Sequence, residues 1–137
     1  MEALRLYAGQ DLGVRLHTRL RAYTCPMPEL VAQAPARGRL LEVGCGHGLF
    51  ANECALRHPE LEVLGIDPEP AKVRAAERSA GGGRGNVRFR EGRLETLGEG
   101  GFDCVAVLDV LYLVPHGAWD GFLRGGGSRA ELAAALG

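Results

Sequence analysis

The sequence predicts an α/β fold: a parallel sheet with helices packed against it. Three observations carry this expectation. Short β-rich runs alternate with helical stretches from residue 39 to residue 108. A glycine-rich turn, Gly44-Cys45-Gly46-His47-Gly48, joins the first such run to a helix. Phe102–Leu108 is an almost unbroken apolar run, the pattern of a strand covered on both faces. A β-α-β-α-β order of this kind makes a parallel sheet with right-handed crossovers.

The elements follow in order. Leu4, Leu12, Leu16 and Leu20 lie along one stripe of a helical pattern over residues 3–22, which Gly9 and Gly13 weaken. Tyr23-Thr24-Cys25-Pro26-Met27-Pro28 ends that helix, because two prolines force an extended or turning path. Pro28 suits the first turn of a short helix over Glu29–Ala34, closed by Pro35. Arg39–Val43 reads as the first strand. Leu49–His58 has helical spacing and stops before Pro59. Glu62–Ile66 is the second strand, ending at Asp67. Glu69–Ser79 is helical, with Val73, Ala76 and Ala80 inward. Gly81-Gly82-Gly83-Arg84-Gly85 is a loop, Asn86–Arg90 the third strand and Phe102–Leu108 the fourth. Beyond Pro115 the pattern decays. His116–Arg124 reads as a helix with Trp119, Phe122 and Leu123 on one side. Gly125-Gly126-Gly127-Ser128 is a linker by composition, and Arg129–Leu136 a short helix. The expected organisation is a helical segment over 1–37, a sheet domain over 38–124, and a glycine-rich linker with a short helix over 125–137.

Composition excludes several classes. The 137 residues suit one domain, large enough for a core without staples. The 21 glycines are about twice the usual share, but they follow no G-X-Y period. No apolar run approaches the ~18–20 residues of a membrane span, so no membrane partner is expected. The N-terminus lacks a secretory h-region, which predicts a cytoplasmic location. The net charge of −1 carries no general nucleic-acid footprint. Residues 1–40 nevertheless hold six Arg and three acids. Cys25, Cys45, Cys54 and Cys104 form no C-x-x-C pair, and no Cys/His group has zinc-ligand spacing, so no metal is expected.

The chemistry lies in Glu42-Val43-Gly44-Cys45-Gly46-His47-Gly48. A glycine-rich turn between strand and helix lets a ligand approach the backbone closely. Asp67 ends the next strand, where a carboxylate can accept both ribose hydroxyls. Together they predict a nucleoside-ligand site at the C-terminal edge of the sheet. A dinucleotide fingerprint, G-x-G-x-x-G, would place its third glycine at 49, which is Leu49. Glu42 would repel a pyrophosphate but suits a sulfonium or an α-ammonium group.

These segments, with Val63-Leu64-Gly65-Ile66-Asp67, resemble the class I S-adenosylmethionine-dependent methyltransferases. Phe102-Asp103-Cys104-Val105 through Asp109-Val110-Leu111 is similar to that family's fourth-strand motif. The resemblance covers about residues 38–115 and implies a Rossmann-like three-layer α/β/α fold. It also implies S-adenosyl-L-methionine as cofactor, with Gly44, Cys45, Gly46 and Gly48 around the methionine part. Glu42 would organise the amino-acid end and Asp67 the ribose, while Ile66 or Pro68 would pack on adenine. Asp109 would face the ammonium or the substrate, or serve as a helix N-cap. Tyr112 would lie near the transferred methyl, or simply pack. Asp109 and Tyr112 are the catalytic candidates; Tyr23 and His116 join them as candidates for the acceptor pocket.

Two departures accompany the resemblance. Arg93 stands where the family commonly places an acid for the adenine amino group. The family's sheet has seven strands, whereas four are expected here, in the order 3-2-1-4. The fourth would then be an apolar edge, so the sequence predicts either a truncated product or self-association through that strand. No DNA-methylation signature is present, so the expected acceptor is a small molecule rather than DNA, with protein and RNA as the alternative acceptors that stay open. Two alternatives stay open: a truncated, non-catalytic cofactor-binding module, and an NAD-dependent oxidoreductase, disfavoured by Leu49 and Glu42.

Overall fold

A computed structural model describes residues 1–81 and 85–108. The expectations for Asp109, Tyr112 and His116, for the helix over 116–124 and for the tail over 125–137 lie outside the described residues. So does the middle of the 81–85 loop.

Strands β1 (Arg37–Val43), β2 (Glu60–Asp67), β3 (Val87–Glu91) and β4 (Cys104–Ala106) form one parallel sheet. Their order is β3-β2-β1-β4, as the sequence predicts. Alternation along the strands sends side chains to two faces. Leu40, Leu61, Val63, Val87 and Phe89 meet Phe50, Ala51 and Cys54 of α3 (Leu49–Arg57) and Val73 and Ala76 of α4 (Pro70–Ala80). On the other face, Leu41, Leu64 and Ile66 pack with Leu94 and Leu97, around a 3₁₀ turn over Leu94–Thr96.

The N-terminal segment departs from the expected single helix over 3–22. A 3₁₀ helix over Glu2–Tyr7 is followed by a turn at Gly9 and then α1 (Leu12–Thr24). The break lets the first piece enter the core: Ala3 and Tyr7 are buried, and Ala3 N–H donates to Glu53 Oε2 at 2.8 Å. Leu4 is half-buried, but Leu12, Leu16 and Leu20 face outward. Helix α1 instead turns Val14, Thr18 and Ala22 toward the protein. Helix α2 spans Met27–Ala32, two residues earlier than expected, with Pro28 in its first turn and Met27 buried.

Strand β4 is shorter than the expected Phe102–Leu108. Asp103 holds the chain at the mouth of the sheet. Its N–H donates to Arg39 O and its Oδ2 accepts from Arg39 N–H, both at 2.9 Å. The Arg39 guanidinium lies 4.6 Å over the Phe102 ring. These contacts take Phe102 and Asp103 out of the ladder, and pairing with β1 covers Cys104 to Ala106. At the same end of the sheet, Asn86 Nδ2 donates to Ala55 O, His58 O and Leu61 O at 3.0–3.2 Å. One side chain thus ties the end of α3, the start of β2 and the start of β3. Among the described residues no helix is long and apolar enough to cross a membrane.

Candidate functional site

The glycine turn leaves β1 at its C-terminal end. Gly44, Gly46 and Gly48 have φ of +73°, +56° and +81°, backbone conformations that other residues adopt at a cost. The turn is tied to β2, because Gly44 N–H and Cys45 N–H both donate to Ile66 O, at 2.8 and 2.9 Å. Gly48 then caps α3, and here a second requirement applies. A Cβ at Gly48 would lie 2.5 Å from Phe89 Cζ and 3.0 Å from Ala76 Cβ. Among the described residues, a Cβ at Gly44 or Gly46 would meet nothing within 4 Å. Among those residues the turn is therefore packed underneath and open above.

The two carboxylates singled out from the sequence converge on this turn. Glu42 is buried at 3% exposure and its Oε2 accepts from Ala51 N–H at 3.2 Å. Ala51 lies in the first turn of α3, so the carboxylate sits at the positive end of that helix. Asp67 is also buried; Oδ2 accepts from Gly46 N–H and Oδ1 from Glu69 N–H, each at 2.9 Å. Each oxygen uses one lone pair in this way and keeps capacity for another donor. Pro68 follows, exposed beside it. Arg93 lies beyond the end of β3, exposed and extended at the start of the 3₁₀ turn.

Cys45 is buried in the turn, and burial together with the nearby Glu42 and Asp67 charges pushes its thiol pKa upward. It remains a protonated packing group rather than a nucleophile. His47 lies beside α1: its ring centroid is 4.7 Å from that of His17. Burial and then the His17 charge hold its pKa below the ordinary histidine value, and its Nδ1 has no hydrogen-bond partner among the described residues. A small cavity of about 30 Å³, one water's share of volume, lies between α1 and the turn. His17, Arg21, Met27, Glu42, Cys45 and His47 are among its lining residues. Tyr23, an acceptor-pocket candidate, is instead exposed at the end of α1. A larger cleft of about 250 Å³, between Arg39, Glu62, Asn86 and Arg88, lies at the opposite edge of the sheet.

Sequence reasoning missed the polar cluster beneath the turn. Tyr7 Oη donates to His47 O at 2.7 Å and accepts from Asn52 Nδ2 at 3.0 Å. Asn52 Nδ2 also reaches Gly48 O at 2.9 Å and Ser79 Oγ at 2.8 Å. Ser79 Oγ donates onward to Ala76 O. Three helical segments thereby hold two carbonyls of the turn. No periodicity announces such a cluster; a lone Asn on the buried face of a helix was the available signal. Gly65 was missed as well. A Cβ there would lie 2.7 Å from Phe89 and 2.9 Å from Cys45 Cβ, and a glycine inside a strand pattern is the sign of such an approach.

Comparisons with known proteins agree with this geometry. The methyltransferase-domain family profile matches residues 40–125. The ubiquinone biosynthesis O-methyltransferase of Azorhizobium caulinodans is 36% identical over 80 residues, covering 56% of this chain and 31% of that protein. The trans-aconitate 2-methyltransferase of Methylobacterium nodulans is 32% identical over 98 residues, covering 69% and 36%. Among solved structures, the S-adenosylmethionine-dependent methyltransferase SibL, in its apo form, superposes with a TM-score of 0.59 at 28% identity. That match covers 80% of this chain and 33% of SibL. The chain thus spans about a third of the length of these relatives.

Proposed function

The chain belongs to the methyltransferase-domain family, and on that premise we propose that it binds S-adenosyl-L-methionine and serves methyl transfer to a small-molecule acceptor. The observation that carries this reading is the open glycine turn flanked by Glu42 and Asp67. The donor set fits the cofactor's chemistry. Asp67 offers free lone pairs for ribose hydroxyls. Glu42 places a carboxyl group beside a turn whose upper face, among the described residues, is open to a cationic amino acid.

When bound, S-adenosylmethionine supplies a methyl group activated on a sulfonium. The chain's own residues supply position. Gly44 and Gly46 allow close approach of the backbone, and Gly48 with the Tyr7–Asn52–Ser79 cluster fixes the turn before the ligand arrives. Glu42 favours positive charge at the methionine end. Such preorganisation, with exclusion of water, is the main contribution a protein makes to in-line displacement. Asp109 and Tyr112 remain our candidates for the acceptor side. The small-molecule acceptor is supported by the names of the ubiquinone-biosynthesis and trans-aconitate relatives, while a further relative, of Geobacter sulfurreducens, is named a release factor glutamine methyltransferase.

Isothermal titration with S-adenosylmethionine, S-adenosylhomocysteine and NAD tests the reading. Saturable binding of the first two and none of NAD is expected. Asp67→Asn, which sets an amide against two backbone donors, should weaken binding roughly tenfold or more. Saturable binding of NAD alone would overturn the reading. Radiolabelled methyl transfer to a small-molecule extract then separates an active enzyme from a binding module.

A further inference from the structure

Helix α1 presents an apolar face to solvent with a cationic margin. Leu12, Leu16, Leu20 and Tyr23 are 75%, 66%, 59% and 90% exposed. At ~100° per residue they fall within an arc of about 80°. Val14, Thr18 and Ala22, which face the protein, lie on the opposite side of the helix. The helix carries Arg15, Arg19 and Arg21 and no Asp or Glu. By the same spacing, Arg15 and Arg19 flank the leucines. Beside them, a cleft of about 240 Å³ between α1 and the first 3₁₀ helix is lined by Arg5, Arg15 and Arg19 together with Leu4 and Tyr7.

Charge decides what fits this surface. A second copy of α1 laid on the stripe would bring Arg15 and Arg19 against the same arginines of its partner, and like charges at an interface are costly. A neutral apolar groove would cover the leucines and leave the arginines without counter-ions. An anionic bilayer answers both features. Leucine and tyrosine side chains enter the headgroup–acyl boundary, while arginines at the margin reach lipid phosphates.

We propose that α1 is a peripheral docking surface for anionic phospholipid membranes, with Leu12, Leu16, Leu20 and Tyr23 inserted and Arg15 and Arg19 on headgroup phosphates. The sequence predicts no membrane partner on the ground of spanning length, and a surface of this kind needs no spanning segment. The contact of His17 with His47 puts this surface beside the glycine turn. On the methyltransferase reading, that arrangement presents the site to acceptors dissolved in lipid; the docking itself does not rest on that reading.

Flotation of the full chain tests the proposal, using vesicles of phosphatidylcholine with roughly one third phosphatidylglycerol. Co-flotation at low salt is expected, with roughly tenfold less protein on pure phosphatidylcholine and release at high salt. The double variant Leu16→Glu/Leu20→Glu should stay at the bottom, and Arg15→Gln/Arg19→Gln should bind roughly tenfold less. Leu16, Arg19 and Leu20 are exposed and Arg15 is half-buried, and circular dichroism checks that each variant is folded. Absence of wild-type binding to either vesicle would overturn the proposal, as would undiminished binding by the leucine variant. A lipid-independent dimer abolished by the leucine variant, with no flotation, would make a second copy the occupant. Loss of S-adenosylmethionine binding with flotation intact would count against the methyltransferase reading alone.

Discussion

Three glycines of similar conformation in one turn serve different physical ends. Gly46→Ala meets nothing within 4 Å among the described residues, so the expected cost is backbone strain, about 1 kcal/mol. Gly48→Ala adds a collision with the end of the Phe89 ring, and about 2–4 kcal/mol of destabilisation is expected. Urea midpoints for the two variants should therefore separate clearly, and equal shifts would refute the packing role given to Gly48. Tyr7 makes a second case. Burial pushes its hydroxyl from the usual 10 up to about 12. The unfolded chain deprotonates first, so stability is complete below pH ~10, falls as pH rises, and levels off above about 12. The expected loss across that window is about 3 kcal/mol. Tyr7→Phe should flatten that alkaline limb, while losing stability at neutral pH because His47 O and Asn52 forfeit a partner. Denaturation as a function of pH compares the two slopes directly.

At the scale of elements, legibility followed from how local each signal is. Strands β1 to β3 and helices α3 and α4 announce themselves by apolar spacing, and the structure puts each within a few residues of its expected place. Glu42, the glycines and Asp67 were legible because strand, turn and helix bring them together at short range. Helix α1 shows the limit. Spacing reports that Leu12, Leu16 and Leu20 share a face but not that the face points outward. That orientation is set by Ala3 and Tyr7, which enter the core ahead of the Gly9 turn and turn α1 over. Strand β4 was over-read because an apolar run does not reveal that Asp103 and Arg39 bind each other at its start. Asn86 is equally invisible to periodicity, yet it joins three elements. Asn86→Ala leaves the carbonyls of Ala55, His58 and Leu61 without this donor, and about 2 kcal/mol should be lost. A lowered denaturant midpoint with an unchanged slope is the expected signature. A shift no larger than that of an exposed substitution would deny Asn86 this role.

At the scale of the whole molecule, the sheet has two unlike edges. β2 and β1 are each paired on both sides, whereas β3, with Arg88, Arg90 and Glu91 exposed, and β4 are the outer strands among the described residues. Cys104, Val105 and Ala106 of β4 are only half-buried. An outer strand of small apolar residues with no second pairing partner among the described residues is a template for another strand. Three residues give few ladder bonds, so the association expected is reversible rather than tight. Size-exclusion chromatography with light scattering, run across a wide concentration range, should show mass rising from one chain toward two. Because this pairing uses backbone groups, high salt should leave it intact, while it should release vesicles bound through the arginines of α1. The Leu16→Glu/Leu20→Glu variant should likewise keep the strand-mediated association. A mass equal to one chain at every concentration would show that β4 is protected, and would remove the edge-strand argument for self-association.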